Sequence, residues 1–106
     1  DNIVLTEHIG DLSLSKTESL GDSAIYEQDT AWLRESDLVI AECSTPSLGV
    51  GYELAYAEAH DIPVHIFYNH SRTQLSAMLK GDSYFQIHPY TEEKEIYPLL
   101  DAIFHP

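Results

Sequence analysis

Apolar and polar positions alternate along the chain between short β-prone runs and longer amphipathic segments. The β-prone runs predict strands at residues 2–7, 38–43, 64–68 and 84–88. A 3.6-residue periodicity predicts helices at residues 23–36, 49–60, 74–80 and 92–104. Strands that alternate with helices predict an α/β fold in which right-handed crossovers cover a parallel sheet. The polar segment 10–22 is predicted to be an exposed loop.

The run at 38–43 is the most apolar of the predicted strands, which indicates burial on both faces of a parallel sheet. Glu42 interrupts it near its carboxyl end, where ligands bind in open α/β sheets. Glu42 is therefore either part of a ligand site or a rim carboxylate bonded to a loop, and we favour the second interpretation. Cys43, the single cysteine, is predicted to be a small buried hydrophobe.

A loop of small residues at 44–47 follows this strand and leads into the predicted helix 49–60. The start of a helix presents free backbone N–H groups and a partial positive charge, so this loop suits an anionic ligand group. Glu53 is predicted to lie in the first helical turn, where the helix dipole favours an ionised carboxylate.

Asp29 falls on the apolar stripe of helix 23–36, at helical spacing from Ile25, Trp32 and Leu33. A carboxylate at such a position must be partnered or must lie at the rim of a cavity. The alternative is that Asp29 caps a shorter helix that begins at Thr30. Spacing alone does not choose between these two interpretations.

Asp29 and Glu53 are candidates for a catalytic carboxylate pair. Consecutive βα units bring both to the same carboxyl-end crevice, and two carboxylates in different environments can divide the roles of acid and nucleophile. An ionised Glu53 suits the nucleophile, and an Asp on a more apolar face, with a raised pKa, suits the group that assists a leaving group. The alternative is a capping group and an unrelated rim charge.

Composition narrows the class of protein. The chain of 106 residues fits a single domain over 1–106. Its formal net charge of −13 argues against nucleic acids and anionic membranes as partners, because both require basic patches. Its six histidines lack metal-ligand spacing and no nucleotide-cofactor motif is present, so neither a metal nor a cofactor is predicted. Without a run of transmembrane length, the protein is predicted to be cytoplasmic.

Four segments together resemble the 2′-deoxynucleoside 5′-monophosphate N-hydrolases of the nucleoside 2-deoxyribosyltransferase superfamily. They are residues 26–33, 41–42, 46–54 and 75–78, and the most specific is Pro-Ser-Leu-Gly-Val-Gly-Tyr-Glu at 46–53. The resemblance implies a flavodoxin- or Rossmann-like three-layer sandwich, usually a homodimer. It also implies cleavage of deoxynucleoside monophosphates to free base and 2-deoxyribose 5-phosphate.

The resemblance further implies a role for individual residues. Glu53 would attack C1′ as the nucleophile, and Asp29 would assist departure of the base or orient the sugar. Ser47 would hold the 5′-phosphate, with Gly49 and Gly51 as further substrate-binding candidates. Two more residues would reach the partner subunit's site in a homodimer: Ser76 at the phosphate and Met78 near the base.

Members of this family open with a strand, a loop containing Gly and Ser, and a helix, and nothing before Asn2 matches that unit. The chain is therefore expected to be an N-terminally incomplete fragment of a longer protein, rather than a chain that is inactive alone. Two other functions stay open: a nucleoside 2-deoxyribosyltransferase and a non-catalytic nucleotide-binding module.

Overall fold

The computed structural model describes residues 3–5 and 21–105. The elements are β1 (Ile3–Leu5), α1 (Asp22–Glu35), β2 (Leu38–Glu42), α2 (Leu48–Ala59), β3 (Val64–Asn69), α3 (Ala77–Lys80), β4 (Gln86–Tyr90), a 3-10 turn (Glu93–Glu95) and α4 (Ile96–Phe104). The ends of the predicted strand 2–7 and most of the predicted loop 10–22 lie outside the described residues. No helix in the described part of the chain is long and apolar enough to span a bilayer.

The strands form one four-stranded parallel sheet in the order β1-β2-β3-β4. Val39 of β2 pairs with Val64 of β3, and Ile66 of β3 pairs with Ile87 of β4. The carboxyl ends of the strands therefore meet at one edge of the sheet, where the loop to α2 begins.

Helices cover both faces of the sheet, which confirms the predicted α/β sandwich. Alternate residues of β2 point to opposite faces, as the strand period of two requires. Val39 and Ala41 are buried in one cluster with Leu54 of α2, whereas Ile40 is buried in a second cluster with Leu99 of α4. The near-continuous apolarity of this strand thus reflects burial on both sides.

The predicted helix 74–80 is too long, because α3 begins only at Ala77. The Ser76 side chain accepts a hydrogen bond from the Met78 N–H at 3.2 Å and caps this single turn. The residues that precede Ser76 in the predicted range therefore lie in the loop before α3 rather than in the helix.

The last two predicted elements also begin later than their patterns indicate. The Asp82 carboxylate accepts the Tyr84 N–H at 2.9 Å in a turn, so β4 begins at Gln86 instead of at residue 84. The final helix starts with a 3-10 turn and becomes α-helical at Ile96. Pro98 is its third residue, a position whose missing N–H would have no acceptor within the helix.

Two histidines on β3 and β4 form a contact beneath α4. Nδ1 of His65 lies 2.9 Å from Nε2 of His88, and their rings stack with centroids 5.2 Å apart. Burial lowers the pKa of both imidazoles, and the neighbouring His88 lowers the pKa of His65 further. Both rings are therefore held in the neutral form around neutral pH.

Candidate active site

The loop after β2 ends at a capped helix start. Ser47 has an extended backbone, and its Oγ accepts a hydrogen bond from the Val50 N–H at 3.2 Å. Serine is a preferred residue at this N-cap position because its oxygen satisfies one of the free N–H groups of the first turn. The helix therefore begins at Leu48, one residue before the predicted start.

Glu53 is the sixth residue of α2 and lies in its second turn, so the prediction of a first-turn position is wrong. The influence of a helix dipole on a side chain is confined to about the first turn. The expected dipole stabilisation of an ionised Glu53 therefore does not set the protonation state of this residue.

Asp29 lies in the middle of α1, so the alternative in which it caps a helix at Thr30 is wrong. Two contacts hold α1 beside α2 on either side of it. The ring edges of Tyr26 and Tyr52 meet with centroids 6.1 Å apart, and Nη1 of Arg34 donates to the Tyr56 hydroxyl at 2.7 Å. Because the two contacts join residues that flank Asp29 to residues that flank Glu53, the two carboxylates face a common space.

That space is a cavity of about 260 Å³ at the carboxyl end of the sheet. Among the described residues, those that line it belong to α1, α2 and the cap of α2: Tyr26, Asp29, Thr30, Ser47, Gly49, Val50, Tyr52 and Glu53. The structure thus brings together four residues that the sequence singled out, namely Asp29, Ser47, Gly49 and Glu53.

Burial and a neighbouring charge both act on Glu53. Partial burial of its carboxyl group, and secondly the negative charge of Asp29, raise its pKa to about 7. Both causes disfavour the charged form, the first by desolvation and the second by repulsion between like charges. The expectation that the environment of Glu53 favours its ionised form is therefore wrong, because both causes act against ionisation. The raised pKa expected of Asp29 stays a prediction.

A second, larger cavity of about 620 Å³ opens on the other side of the start of α2. Ser76 and Met78 line this larger cavity and not the one that contains Glu53. Gly51 also faces the larger cavity, and Ser47 lines both. Within one chain, the structure therefore separates the candidates for the partner's site from the carboxylate pair.

Sequence reasoning missed the two tyrosines of the smaller cavity as candidates for its wall. Their hydroxyl oxygens lie 3.5 Å apart, and both side chains are about half exposed. Tyr52 directly precedes Glu53 and Tyr26 lies three residues before Asp29, so their proximity to the carboxylates in sequence was a usable signal. Together they give the cavity an aromatic wall.

The smaller cavity therefore combines two carboxyl groups, an aromatic wall and the N-terminus of a helix. A carboxyl group with a pKa near neutrality can exist as a nucleophile or as an acid at neutral pH, which is the requirement for glycoside chemistry. Within residues 3–5 and 21–105, no group of three or more His, Cys, Asp or Glu side chains is arranged to hold a metal ion.

A carboxylate-lined crevice at the carboxyl edge of a parallel sheet is a common arrangement in α/β enzymes. The family model described as nucleoside 2-deoxyribosyltransferase matches residues 4–96. The chain therefore belongs to the nucleoside 2-deoxyribosyltransferase family.

Relatives with assigned names fall within the hydrolases of this group. The chain is 47% identical over 81 residues to the putative 2′-deoxynucleoside 5′-phosphate N-hydrolase 1 of Syntrophotalea carbinolica, and this alignment covers 76% of this chain and 57% of that protein. It is 44% identical over 108 residues to the 5-hydroxymethyl-dUMP N-hydrolase of Mus musculus, and this alignment covers 95% of this chain and 62% of the mouse protein. The chain thus spans less than two thirds of the length of these two relatives.

A solved structure supports the fold. The CMP N-glycosidase BcmB of Clostridium botulinum superposes with a TM-score of 0.70 over 95% of this chain and 99% of that one. Because the two sequences are 23% identical, this likeness establishes a shared fold.

Proposed function

We propose that the protein hydrolyses the N-glycosidic bond of 2′-deoxynucleoside 5′-monophosphates to give free base and 2-deoxyribose 5-phosphate. The observation that carries the proposal is the single cavity lined by Asp29, Glu53 and Ser47. The names of the relatives with 47% and 44% identity support the substrate class. A deoxyribonucleotide offers each of these three side chains a chemical partner.

In the proposed mechanism, the ionised Glu53 carboxylate attacks C1′ while the bond from C1′ to the base nitrogen breaks. Asp29 assists departure of the base or orients the sugar. Positive charge that develops on the sugar in the transition state is stabilised by the adjacent carboxylate, as in glycosidases with two carboxyl groups. Water then cleaves the glycosyl ester, which releases the sugar phosphate and restores Glu53.

The 5′-phosphate is proposed to bind at the start of α2. The Ser47 oxygen accepts the Val50 N–H, which leaves the hydroxyl proton available for a phosphate oxygen. Gly49 and Gly51 leave the backbone of the first turns accessible, since a Cβ at Gly51 would meet nothing within 4 Å. These local dipoles must hold an anion against a formal net charge of −13.

The same proposal includes a homodimer in which Ser76 and Met78 reach the partner's site. Two large apolar side chains at the larger cavity support it, because Leu48 is 97% exposed and Met78 is 82% exposed. Exposed apolar surface that is continuous with a cavity is typical of a protein interface. A cytoplasmic location stays a prediction of the sequence.

The test is incubation of the full-length protein with each deoxynucleoside monophosphate, with chromatographic detection of free base. We expect release of base from at least one of them, and a folded protein that releases none contradicts the proposal. Replacement of Ser47 by Ala is expected to raise KM for the monophosphate about tenfold through loss of phosphate contacts. The corresponding nucleoside, which lacks the phosphate, is the control substrate and should be little affected.

A nucleoside 2-deoxyribosyltransferase is the second candidate, because the matching family model bears that description. A transferase passes the sugar to an added acceptor base, whereas a hydrolase passes it to water. Equal activity on nucleosides and monophosphates, with formation of a new nucleoside from the added base, would favour the transferase.

A further inference from the structure

Glu42, at the carboxyl end of β2, collects three hydrogen bonds. Its Oε1 accepts the Ser44 N–H at 2.8 Å, and its Oε2 accepts the Ser44 hydroxyl at 2.6 Å. The Tyr90 hydroxyl donates a third, short hydrogen bond to Oε2. The favoured interpretation of Glu42 from the sequence, a rim carboxylate bonded to a loop, is thus confirmed.

This cluster ties together the carboxyl ends of three neighbouring strands. Ser44 Oγ, which donates to Glu42, also accepts the backbone N–H of Asn69 at 2.8 Å. Asn69 ends β3 and Tyr90 ends β4, while Glu42 ends β2. A half-buried carboxylate that receives several donors strengthens each hydrogen bond through its charge, so the cluster fixes Ser44 firmly relative to the sheet.

Glu42 has no access of its own to either cavity, because neither lining includes it. Its influence must therefore pass through Ser44 along the chain. Only Thr45 and Pro46 separate Ser44 from Ser47, the cap of α2. Pro46 has a fixed φ and also restricts the backbone of Thr45, so the chain between Ser44 and Ser47 has few accessible conformations. A displacement of Ser44 therefore moves Ser47.

We propose that Glu42 is a positioning residue for the substrate phosphate: through Ser44, with Tyr90 as its support, it fixes where the Ser47 hydroxyl and the start of α2 lie. This inference rests on the proposed function and deepens it. The carboxylates of the reaction lie on α1 and further along α2, beyond the cap. Disruption of the cluster should consequently weaken phosphate binding more than it slows the chemical step.

Two replacements test this role. Glu42→Gln keeps the shape of the side chain but turns one of its acceptor atoms into a donor and removes the charge. Tyr90→Phe removes only the hydroxyl. We expect KM for the monophosphate, and the dissociation constant of 2-deoxyribose 5-phosphate, to rise about tenfold in Glu42→Gln and about threefold in Tyr90→Phe. The rate constant kcat should stay within about twofold of the unaltered protein.

Tyr84→Phe is the matched control, because it also removes a tyrosine hydroxyl from a hydrogen bond, here to the Ile62 carbonyl at 2.7 Å. Tyr84 lines neither cavity, so KM for the monophosphate and the dissociation constant of 2-deoxyribose 5-phosphate should stay unchanged in Tyr84→Phe. Its thermal stability should fall about as much as that of Tyr90→Phe. If the unaltered full-length protein releases no base, the proposed function fails. If it is active but Glu42→Gln lowers kcat without raising KM, or resembles Tyr84→Phe, the positioning role is overturned while the proposed function stands.

Discussion

The two cavities on either side of the start of α2 share Ser47 and Val50 but differ in size and chemistry. The smaller, about 260 Å³, holds two carboxyl groups and two tyrosines. The larger, about 620 Å³, is bordered by the exposed apolar side chains of Leu48 and Met78. Glu58 and Asp82 also line the larger cavity, so it differs from the smaller one in its exposed apolar border and not in a lack of carboxyl groups.

Residues that are adjacent in sequence at the start of α2 do not all line the same cavity. Gly49 and Gly51 are two residues apart, yet they face different cavities. Because a helix turns by about 100° per residue, neighbours in one block of sequence are distributed around its circumference.

The largest effect is expected from Glu53→Gln in the smaller cavity. Loss of the proposed nucleophile should lower kcat by several orders of magnitude, on the order of 10⁴-fold, because glutamine cannot form the glycosyl ester of the proposed mechanism. Quantification of free base over time measures the loss. Substrate affinity measured by calorimetry should change little, and a decrease in kcat of only a few-fold would contradict the assigned role.

In the larger cavity, Met78→Glu should weaken the proposed self-association about 10- to 100-fold, because it places a further charge in the proposed contact. Sedimentation velocity over a range of protein concentrations measures the change. Tyr97→Glu is the control, since Tyr97 is 66% exposed on α4 and lines neither cavity. If Met78→Glu leaves association unchanged, as the control is expected to do, the larger cavity is not an interface between copies of the chain.

The pH profile probes the smaller cavity through the raised pKa of Glu53. Since a nucleophile must be ionised, kcat/KM should rise about tenfold per pH unit up to the pKa of about 7 and then level off. Asp29→Asn removes the repelling charge and should shift the midpoint to lower pH without returning it to 4.5, because burial is the larger cause. A profile that instead falls as the pH rises through 7 would identify Glu53 as an acid.

The same pKa shift links the site to stability. The folded protein holds the Glu53 proton up to a pH of about 7, whereas the unfolded chain releases it near the ordinary value of 4.5. The free energy of unfolding should therefore fall as the pH rises between these values. Solvent screening limits the loss to about 1 kcal/mol, and Glu53→Gln should abolish this part of the pH dependence in urea titrations.

The smallest effects are expected from a matched pair, Gly49→Ala and Gly51→Ala. A Cβ has room at both positions, so each replacement should raise helix stability by about 0.5–1 kcal/mol. Thermal unfolding measures this change in stability. KM for the monophosphate, measured for both variants, indicates which of the two glycines the substrate contacts closely. If KM rises only for Gly49→Ala, the substrate occupies the smaller cavity; if only Gly51→Ala raises it, that assignment is contradicted.

Much of the fold follows from local patterns in the sequence. The buried strand β2 was predictable because its apolar run serves two covered faces, and α1 was predictable from the spacing of Ile25 and Leu33. The elements with weaker sequence patterns begin at other residues than predicted. The boundaries of α3 and β4 depend on hydrogen bonds that the side chains of Ser76 and Asp82 accept from backbone N–H groups, and hydrophobic periodicity does not indicate these bonds.

The pairing of the two carboxyl groups could be predicted from the sequence, whereas the tyrosines of the smaller cavity and its electrostatics could not. Asp29 and Glu53 could be paired from their positions in successive βα units, since such units share one edge of a sheet. The protonation state of Glu53 could not, because it depends on burial between two helices and on the proximity of Asp29. Likewise, Tyr90 lies 48 residues from Glu42, and only the sheet reveals their hydrogen bond.

The contact between His65 and His88 gives the molecule an internal spectroscopic reporter. One ring nitrogen of the contact must donate while the other accepts, so the tautomer of each imidazole specifies that of the other. Their nitrogen resonances would therefore change together whenever the register of β3 and β4 is disturbed. If a replacement near Glu53 lowers activity but leaves the imidazole nitrogen resonances of His65 and His88 unchanged, the replacement has affected the reaction without altering the pairing of β3 and β4.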